Sequence, residues 1–594
     1  MMLQALIAYA ERNGLGDADF EKVAVRWLIP LDKGGNLAGG PIPLSENPDE
    51  KKPRPKQMLR PFTSPNELNQ GTKSHFLCDT LERAVLLLDP KAAEKAGARR
   101  AQHSYFQSLF REAAAACPDD SPYLEAVLSF LQNADGLTEL HRQLASLKAK
   151  PSDNAVFAVD GFNLLDSEPV KTFWRNRRRH SAAGLGAREK RVCIATGEMS
   201  ETLDTTEKIK GVPGGLATGT NLISFDKDSF CSFDLNQAQN AALSAPAELK
   251  IRSSLNDLIE KSREQKLTFN NTANLHWTRQ PIEDDPIDLL ANADENAVAE
   301  LLKSIHSGHQ PIELESNKYY AMSLSGNGAR IVVRDWLECT VSEVRRHVAE
   351  WFQDLSLISP DGVSVRRGFK FYALLYGLVR KELDELPPQI STQLLYGALH
   401  GRAVPLAQSA LATALRRQQL DQEDKLNPAR IALIKACLIR SPNNSIPNTQ
   451  QTTQTMTECF NPESRDPAYL CGRLFAVFAE LQGAALQNVN AGVVERYYAS
   501  ASVTPALVMG RLFRNAQFHA AKADSEGGWK RGKAINAQKD LEAITCVLGD
   551  HFPTTLDLEG QGRFALGYYH QKAEVHRRTA ERKEQQAAEI EKQN

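Results

Sequence analysis

The sequence of 594 residues lacks a hydrophobic run of the about 18 apolar residues that a membrane-crossing helix needs. None of its nine cysteines forms a CxxC pair, which disfavours a zinc ribbon or a disulfide framework and suits reduced thiols in a cytoplasm. The sequence also lacks an excess of either charge, since 71 Lys and Arg stand against 73 Asp and Glu. That balance excludes a strongly basic coat protein and an acidic disordered tail, but it permits local basic tracts.

Common catalytic signatures are also missing. There is no HExxH or GxSxG motif, which disfavours a zincin and an α/β-hydrolase. Residues 527–533 have the glycine and lysine spacing of a phosphate-binding loop, but Ala534 replaces the hydroxyl residue that would hold Mg²⁺. We interpret this stretch as a basic loop between helices. We therefore predict no catalytic residue, no metal and no cofactor.

Local patterns predict several secondary-structure elements. Residues 1–14 have an amphipathic helical pattern and lack the basic start and small-residue cleavage site of a secretory signal. A helical pattern also covers residues 76–88. Residues 319–337 predict two strands joined by a Ser-Gly-Asn-Gly turn. Thr340 and Glu343 then have the spacing of a capping box in front of a helix.

Together these patterns predict an α+β fold, with a large mixed N-terminal domain followed by an all-α C-terminal helical bundle. Strand patterns become rare in the second part of the chain, where helical periodicity dominates. A polar, uncharged stretch, residues 441–457, interrupts this helical pattern and has the composition of a linker. The predicted limits are 1–365 for the mixed domain, 366–440 for a helical middle region, 441–457 for the linker and 458–594 for the bundle.

Positive charge is concentrated in short tracts. Residues 171–191 hold eight Lys and Arg against one acid, Glu189, and Phe173 and Trp174 are interleaved. Guanidinium groups bind phosphates through paired hydrogen bonds and aromatic rings stack on bases, so this composition suits a nucleic-acid groove. A solvated charged loop is equally compatible with it. Residues 51–60 form a second basic tract, which its prolines predict to be a loop.

Two further tracts could bind a polyanion. Residues 208–221 combine two lysines with four glycines, which allow a backbone to approach a ligand closely, although an ordinary mobile loop has the same composition. In the C-terminal part, Arg511, Arg514, Phe518 and Lys522 fall on one helix face. A plain exposed face is the alternative interpretation.

Nine sequence blocks spread in order along the chain carry a further signal. They are MLQALIAYAER (2–12), RPFTSPNELNQGTKSHFLCDT (60–80), VFAVDGF (156–162), CIATGE with KIKGVPGGLATGTNLISF (193–225), YYAMSLSGNGARIVVRDWL (319–337), IALIKACL (431–438), NPESRDPAYLCGRLFAVFAELQ (461–482), ERYYASASVTPALVMGRLFR (495–514) and GRFALGYYHQ (562–571). In combination, these blocks resemble the large subunit of the type I-C CRISPR Cascade surveillance complex.

The resemblance implies a non-catalytic, cytoplasmic subunit with no membrane contact. Such a subunit sits beside the crRNA 5′ end, next to the crRNA-bearing backbone subunits and the crRNA-end subunit. It inspects target double-stranded DNA for a protospacer-adjacent motif, helps to open the duplex into an R-loop, and holds the displaced strand. It then presents a surface to the helicase-nuclease that degrades the target. Guide pairing reads the sequence, so the protein needs only local charge for backbone contacts.

The resemblance also directs attention to particular residues. Asn69 and its neighbours lie in the second block, on a loop predicted to lead into a helix, where we expect contact with the motif duplex. The residues expected to contact DNA are Asn69, Gln70, Thr72, Lys73, Arg175, Arg177, Arg178, Arg179, Lys208, Lys210, Gly214, Gly215, Asn221, Arg511, Arg514 and Lys522, with Arg473 and Arg496 as additional candidates.

The helical C-terminal part is expected to resemble the Cascade small subunit, which type I-C systems can make from an internal start in the same gene. Met456 is the best-placed methionine for such a start, and small-subunit copies would then begin near it. Two alternatives stay open. One is a nucleic-acid-processing enzyme with a carboxylate metal site around Asp226 and Asp228, and the other is a purely structural assembly subunit.

Overall fold

We analysed a computed structural model of the chain. It describes residues 2–17, 19–46, 53–63, 68, 71–88, 94, 96–183, 190–225, 227–306, 312–421, 426–442, 456–486 and 491–593. Helices account for 55% of the residues and strands, in small sheets, for 15%, with a helical C-terminal region, which confirms the predicted α+β class. The chain forms two compact units, residues 1–207 with 223–255 and residues 208–222 with 256–594. The predicted domain limits stay predictions.

The first unit surrounds a small mixed sheet. Its elements are α1 (Met2–Arg12), β1 (Phe20–Val25), β2 (Trp27–Leu31), β3 (Ile42–Pro43), β4 (Lys56–Pro61), β5 (Cys78–Thr80), α2 (Leu81–Ala84), α3 (Ala96–Ala116), α4 (Ser121–Gln132), α5 (Ala134–Ser146), β6 (Asn154–Val159), β7 (Phe162–Asn163), α6 (Glu168–Ala183), β8 (Lys190–Val192), β9 (Met199–Glu201) and the start of α7 (Ala245–Glu264). The sheet has the order β3-β2-β6-β5, and β7 also pairs with β6. Strand β2 runs parallel to β6, whose last five residues are buried, as expected for a central strand.

Aromatic side chains from α3 and α4 cover this sheet. Phe106 and Phe110 of α3 pack edge to face, with ring centroids 5.1 Å apart. Both rings lie within 6.5 Å of the Phe157 ring on β6, and Phe130 of α4 lies 6.3 Å from it. All four side chains are buried. The apolar stripes of α3 and α4 therefore cover the sheet.

Two local predictions for the first unit are wrong. Residues 76–88 contain strand β5 and only the four-residue helix α2, because Leu77 has a positive φ of 62° and the next residues pair with β6. Of residues 51–60, the first two lie outside the described part, but Lys56 begins strand β4, which pairs with β1. In both places long-range strand pairing overrides the local signal.

The second unit begins with an antiparallel sheet and continues as helices. Its elements are β10 (Thr268–Phe269), β11 (Thr272–Thr278), α8 (Pro286–Asn292), α9 (Glu295–His306), α10 (Ile312–Ser316), β12 (Lys318–Asn327), β13 (Arg330–Thr340), α11 (Val341–Leu355), β14 (Leu357–Ile358), β15 (Val365–Arg366), α12 (Phe371–Tyr376), α13 (Pro388–His400), α14 (Gln408–Leu420), α15 (Pro428–Ile439), α16 (Pro467–Ala485), α17 (Val493–Val503), α18 (Pro505–Glu526), α19 (Gly528–Leu548) and α20 (Leu558–Gln593). The sheet order is β10-β11-β12-β13.

The hairpin and the capping box are both confirmed. Strands β12 and β13 pair up to Asn327 opposite Arg330 across the turn. The Glu343 N–H donates to Thr340 Oγ1 at 3.1 Å, and the Thr340 N–H donates to Glu343 Oε2 at 2.8 Å. Helix α11 then buries Trp351 in the core that the sheet shares with the following helices.

The C-terminal helices α16–α20 share a second core in this unit. Helix α16 crosses α20 very closely, since a Cβ added at Gly472 would overlap Phe564 O, and one at Gly567 would overlap Tyr469 O. Most of the predicted linker, residues 443–455, lies outside the described residues. In the described ranges, no helix is long and apolar enough to cross a membrane. All nine cysteines are free, and six are buried.

Candidate nucleic-acid interface

Residues 208–222, which we name the glycine loop, lie against the tip of the β12–β13 hairpin. The Asn221 N–H donates to Ala329 O at 2.8 Å, and the Gly326 N–H donates to Pro213 O at 2.7 Å. Isolated parallel bridges continue this pairing along the strand ends. The loop backbone is therefore held in one position by the hairpin and is not an independent flexible segment.

Glycine makes this close docking possible. A Cβ added at Gly326 would overlap the backbone nitrogen of Gly215, so the two chains can meet only where side chains are absent. Gly214 has a φ of 72°, which also favours glycine. These glycines thus have a structural role in approaching the hairpin. The predicted contact of Gly214 and Gly215 with DNA stays a prediction.

Two exposed lysines project from this fixed backbone. Lys208 and Lys210 are exposed, and neither forms an ion pair within the described ranges of the chain. The Lys210 N–H donates to the Asn256 side chain at 3.0 Å, which fixes the backbone and leaves the ammonium group free. The Arg263 guanidinium, also exposed, donates to Gly211 O. The loop therefore presents positive charge that no described carboxylate neutralises.

Arg263 is a component that the sequence reasoning missed. It lies in the last turn of α7, more than 40 residues after the glycine loop. Basic residues in the last turn of a helix are common because they interact favourably with the helix dipole. No local pattern therefore distinguishes Arg263 from an ordinary helix-terminal cation, and only the tertiary contact reveals it.

Helix α6 carries the densest predicted tract, yet its described arginines are all paired with carboxylates. The closest nitrogen–oxygen distances are 2.8 Å from Arg175 to Asp17, 2.8 Å from Arg177 to Glu112 and 3.3 Å from Arg178 to Asp19. The hydrogen bond that Arg175 donates to Asp17 raises the pKa of Arg175, so the guanidinium stays charged but already has a partner. The side chain of Arg179 lies outside the described residues.

Trp174, which the sequence marked as an aromatic neighbour of these arginines, is 2% exposed. Its ring stacks on Phe76 with the centroids 5.4 Å apart and an interplanar angle of 27°. Because the ring is buried in the core of the first unit, and the Arg177 guanidinium lies 5.4 Å from its centroid, Trp174 is unavailable for stacking on a base.

The block around residue 72 is only partly described. Asn69 and Gln70 lie outside the described residues, and Thr72 is exposed. Lys73 is half-buried, with its Nζ 4.3 Å from the centroid of the Tyr105 ring. This cation–π contact leaves the ammonium group near the surface but orients it. The segment leads into strand β5 and not directly into a helix, which corrects the prediction.

The basic residues of α18 are on one exposed face, as predicted. Arg511, Arg514 and Lys522 are exposed and have no ion pair among the residues described. Phe518 lies between them and is 69% exposed. An unpaired cationic face with an open aromatic ring is suited to a single strand. We name these four residues the α18 stripe.

Arg473, in contrast, does not lie on an accessible surface. It is 6% exposed, its guanidinium lies 4.5 Å from the centroid of the Phe460 ring, and its Nε donates to Gln571 at 3.0 Å. Burial lowers the pKa of Arg473. The structure therefore assigns this arginine to the bundle core and not to a DNA-facing surface. Arg496 is exposed on α17.

The alternative carboxylate site depends on Asp226 and Asp228. Asp226 lies outside the described residues, and Asp228 is exposed at the start of a single 3₁₀ turn. Among the residues that the structure describes, no group of three His, Cys, Asp or Glu side chains is placed to hold a metal ion.

Comparison with protein families finds a match along nearly the whole chain. Residues 6–576 match a family model described as CRISPR-associated protein (Cas_Csd1). The matched region covers nearly the whole chain and includes the glycine loop, α6 and the α18 stripe. A search of curated proteins returned no match.

Proposed function

The chain belongs to the CRISPR-associated Csd1 family of type I-C large subunits, and from this premise we propose that it is the non-catalytic, duplex-reading subunit of its Cascade complex. Family membership implies a complex with crRNA and other Cas subunits. Guide pairing reads the target sequence in RNA-guided complexes, while protein contacts read the short adjacent motif and the backbone.

The glycine loop is the observation that carries the proposal. Lys208 and Lys210 are exposed, have no ion pair with a described residue, and stand on a backbone that the β12–β13 hairpin holds in place. Because this backbone is already fixed, binding a phosphate orders only the lysine side chains and not the loop. The nearly neutral average charge of the chain is compatible with this role, because phosphate contacts depend on local charge. In this proposal the loop contacts the motif duplex, together with Thr72, Lys73 and the neighbouring Asn69 and Gln70.

The α18 stripe extends the proposal to the opened duplex. Its cations and the exposed Phe518 ring suit a strand whose bases are unpaired. We assign it to the displaced or the target strand of the R-loop. Recruitment of the helicase-nuclease completes the proposed cycle, and it is assigned to no particular residue.

The C-terminal helices support a further part of the proposal, a separate small-subunit product beginning near Met456. Helices α16–α20 have their own core, so a fragment that contains them retains most of its buried contacts. Met456 itself packs at the edge of the other core of the second unit, ahead of α16. Intact mass spectrometry of the purified complex tests this directly. A short product that survives Met456→Ala with an unchanged mass would show that the start lies elsewhere.

The main experiment compares duplex binding by complexes that carry the wild-type chain, the double variant Lys208→Ala/Lys210→Ala, or the control Arg177→Ala. We expect the double variant to lose duplex affinity and to show a salt slope shallower by about 1 for each phosphate that it no longer binds. The control removes a cation that is already paired with Glu112, so its affinity should match the wild type. Unchanged affinity and motif discrimination in the double variant would contradict the assignment.

A further inference from the structure

The C-terminal bundle contains a groove that the duplex proposal does not use. It has a volume of about 420 Å³ and is bordered by helices α16, α19 and α20. Its principal polar and aromatic lining residues are Trp529, Lys533, Asn536, Asp540, Arg578 and Arg582. A volume of this size is within the ordinary range of small-molecule pockets.

Part of the lining comes from the phosphate-loop-like stretch at residues 527–533. The structure shows that this stretch is not a loop, which corrects the prediction from sequence. Gly527 ends α18 with a φ of 72°, and α19 begins at Gly528, so Trp529 and Lys533 are successive members of one helix face. A phosphate-binding loop cradles phosphate with backbone N–H groups. From Arg531 onward the N–H groups of this helix bond to the preceding turn. The part of the groove from Lys533 to Arg582 must therefore bind a ligand through side chains.

The acids of the groove are already neutralised. Glu480 pairs with Lys572 and lies 3.6 Å from Lys533 Nζ. Asp540 accepts from Arg578 at 2.7 Å. The negative charges of the lining are therefore compensated within the bundle.

Two cations remain at one end of the groove. The Arg582 guanidinium donates to the neutral Asn536 side chain at 3.1 Å. Lys583 lines the groove beside it, and neither residue has an ion pair in the described part of the chain. Arginine and lysine without a carboxylate partner are suited to binding a phosphate.

An open aromatic ring is located at the other end. Trp529 is 58% exposed, and the Nζ atoms of Lys533 and Lys530 lie 5.5 Å and 5.9 Å from its ring centroid. Gly532 follows one turn later, and a Cβ added there would meet no atom within 4 Å. The space beside the indole is therefore open, and an exposed tryptophan over cations is a typical base-stacking surface.

The separation of these two ends is compatible with one nucleotide. Trp529 and Asn536 are seven residues apart on α19, which corresponds to about 10 Å along the helix axis. Asn536 bonds Arg582, so the ring and the two cations lie along about two turns of α19, where one ligand can contact both. Lys533 lies between them on the same face and can reach either group.

We propose that this groove binds one nucleotide unit, with its base stacked on Trp529 and its phosphate bonded by Arg582 and Lys583. A nucleotide within a single strand and a free nucleotide present the same chemistry. The site is separate from the duplex surface of the glycine loop, so the two proposals can fail independently.

The test uses the full-length chain and two probes, a fluorescent ten-residue oligothymidylate and free thymidine monophosphate. Binding is measured by anisotropy for the first and by calorimetry for the second. Trp529→Ala should weaken binding roughly tenfold, the usual order of magnitude when one base stack is removed. Arg582→Ala should weaken it and make it less sensitive to salt. Lys539→Ala is the matched control, because it removes an exposed cation of α19 that does not line the groove.

A second variant, Gly532→Leu, fills the open space beside the ring and should weaken both probes without removing a charge. Weaker oligonucleotide binding alone identifies a strand as the source of the nucleotide, and weaker binding of both probes identifies any nucleotide. Equal binding by the wild type and Trp529→Ala, or no binding of either probe by the wild type, overturns the proposal. The Trp529→Ala complex should bind the motif duplex with unchanged affinity. A failure of the nucleotide proposal can therefore be told apart from a failure of the duplex proposal.

Discussion

Helix α6 and the glycine loop both carry cations that the sequence marks for DNA, but the fold uses them differently. The described arginines of α6 are each bonded to a carboxylate of the same unit. The lysines of the glycine loop have no such partner among the described residues, and they stand on a backbone bonded to the β12–β13 hairpin. The tract with more charge in the sequence therefore has less charge available to a ligand.

The difference teaches that charge density and charge availability are separate properties. An arginine that pairs with Asp17 or Glu112 must give up that partner, or share it, before it binds a phosphate. Such partly exposed ion pairs contribute only about 0–1 kcal/mol to stability, so a phosphate can replace the carboxylate. Losing the carboxylate reduces the net free energy gained when the phosphate binds. Lys210 has no such partner to exchange among the described residues.

The largest effect is expected when the support of the glycine loop is removed. Gly326→Val would place a branched side chain on the Gly215 backbone and force the loop away from the hairpin. Overpacking of this kind costs about 1–3 kcal/mol, and if the loop must be docked to bind, duplex affinity falls roughly 5- to 150-fold. Hydrogen exchange of residues 208–222 measures the release of the loop.

Gly510→Ala is the control for that variant, because a Cβ at this exposed position of α18 meets no atom within 4 Å. It should leave both the exchange rates and the duplex affinity unchanged. Faster exchange in Gly326→Val with wild-type affinity would show that the lysines act without a fixed backbone.

A smaller loss is expected from the α18 stripe, the second region with unpaired cations. Arg511→Ala/Arg514→Ala should make single-strand binding less salt-dependent, by about 0.7 in the log–log slope for each phosphate that is no longer bound. Anisotropy titrations of a single-stranded oligonucleotide at several salt concentrations measure the slope. Arg577→Ala is the control, since Arg577 is paired with Glu574 and Glu581. A salt slope in the double variant identical to that of the wild type would show that the α18 stripe does not contact the DNA backbone.

A variant that gains DNA affinity would test most directly whether the ion pairs of α6 keep its arginines from binding DNA. Asp17→Asn/Asp19→Asn removes the closest carboxylate partners of Arg175 and Arg178 while preserving side-chain size, and Glu168 stays 3.8 Å from Arg175. We expect non-specific DNA affinity at low salt to rise by a few-fold, because two guanidinium groups lose their closest carboxylates. Asp119→Asn/Asp166→Asn removes two exposed acids of the same unit and so controls for net charge. Equal gains in both variants would mean that net charge, and not release of the arginines, controls binding.

The smallest effect is expected for Arg177→Ala. Its partner Glu112 is about half exposed, so removal of the pair should lower the free energy of unfolding of the first unit by about 0–1 kcal/mol. Duplex affinity should not change. Thermal unfolding and duplex titrations on the same sample measure stability and affinity. A large loss of duplex affinity with unchanged stability would show that Arg177 of α6 contacts DNA.

Sequence patterns predicted the elements whose determinants are close together in the chain. The β12–β13 hairpin turns at Gly328 and Ala329, because residues 325–327 of the predicted turn continue the strand. The cap of α11 depends on two residues three positions apart. The face shared by Arg511, Arg514 and Lys522 follows from helical periodicity alone. In each case a window of a few residues contains all the interacting groups.

The predictions that failed depend on partners far away in the chain. Residues 76–88 have a helical pattern, but β5 pairs with β6 about 75 residues later. The stretch at 527–533 has the composition of a loop, yet all but Gly527 are part of α19. The carboxylate that binds Arg175 is 158 residues earlier in the sequence. No local window contains such information.

By itself, the sequence determined the α+β class, the helical C-terminal part, the hairpin that supports the glycine loop, and the family to which the chain belongs. Only the tertiary structure decided which cations are available. It paired the described arginines of α6 with acids, left Lys208 and Lys210 without an ion pair to any described residue, and placed Trp529 beside an open groove. The physical reason is that an ion pair or a stacking surface depends on distance in space, whereas composition and periodicity report only on neighbours along the chain.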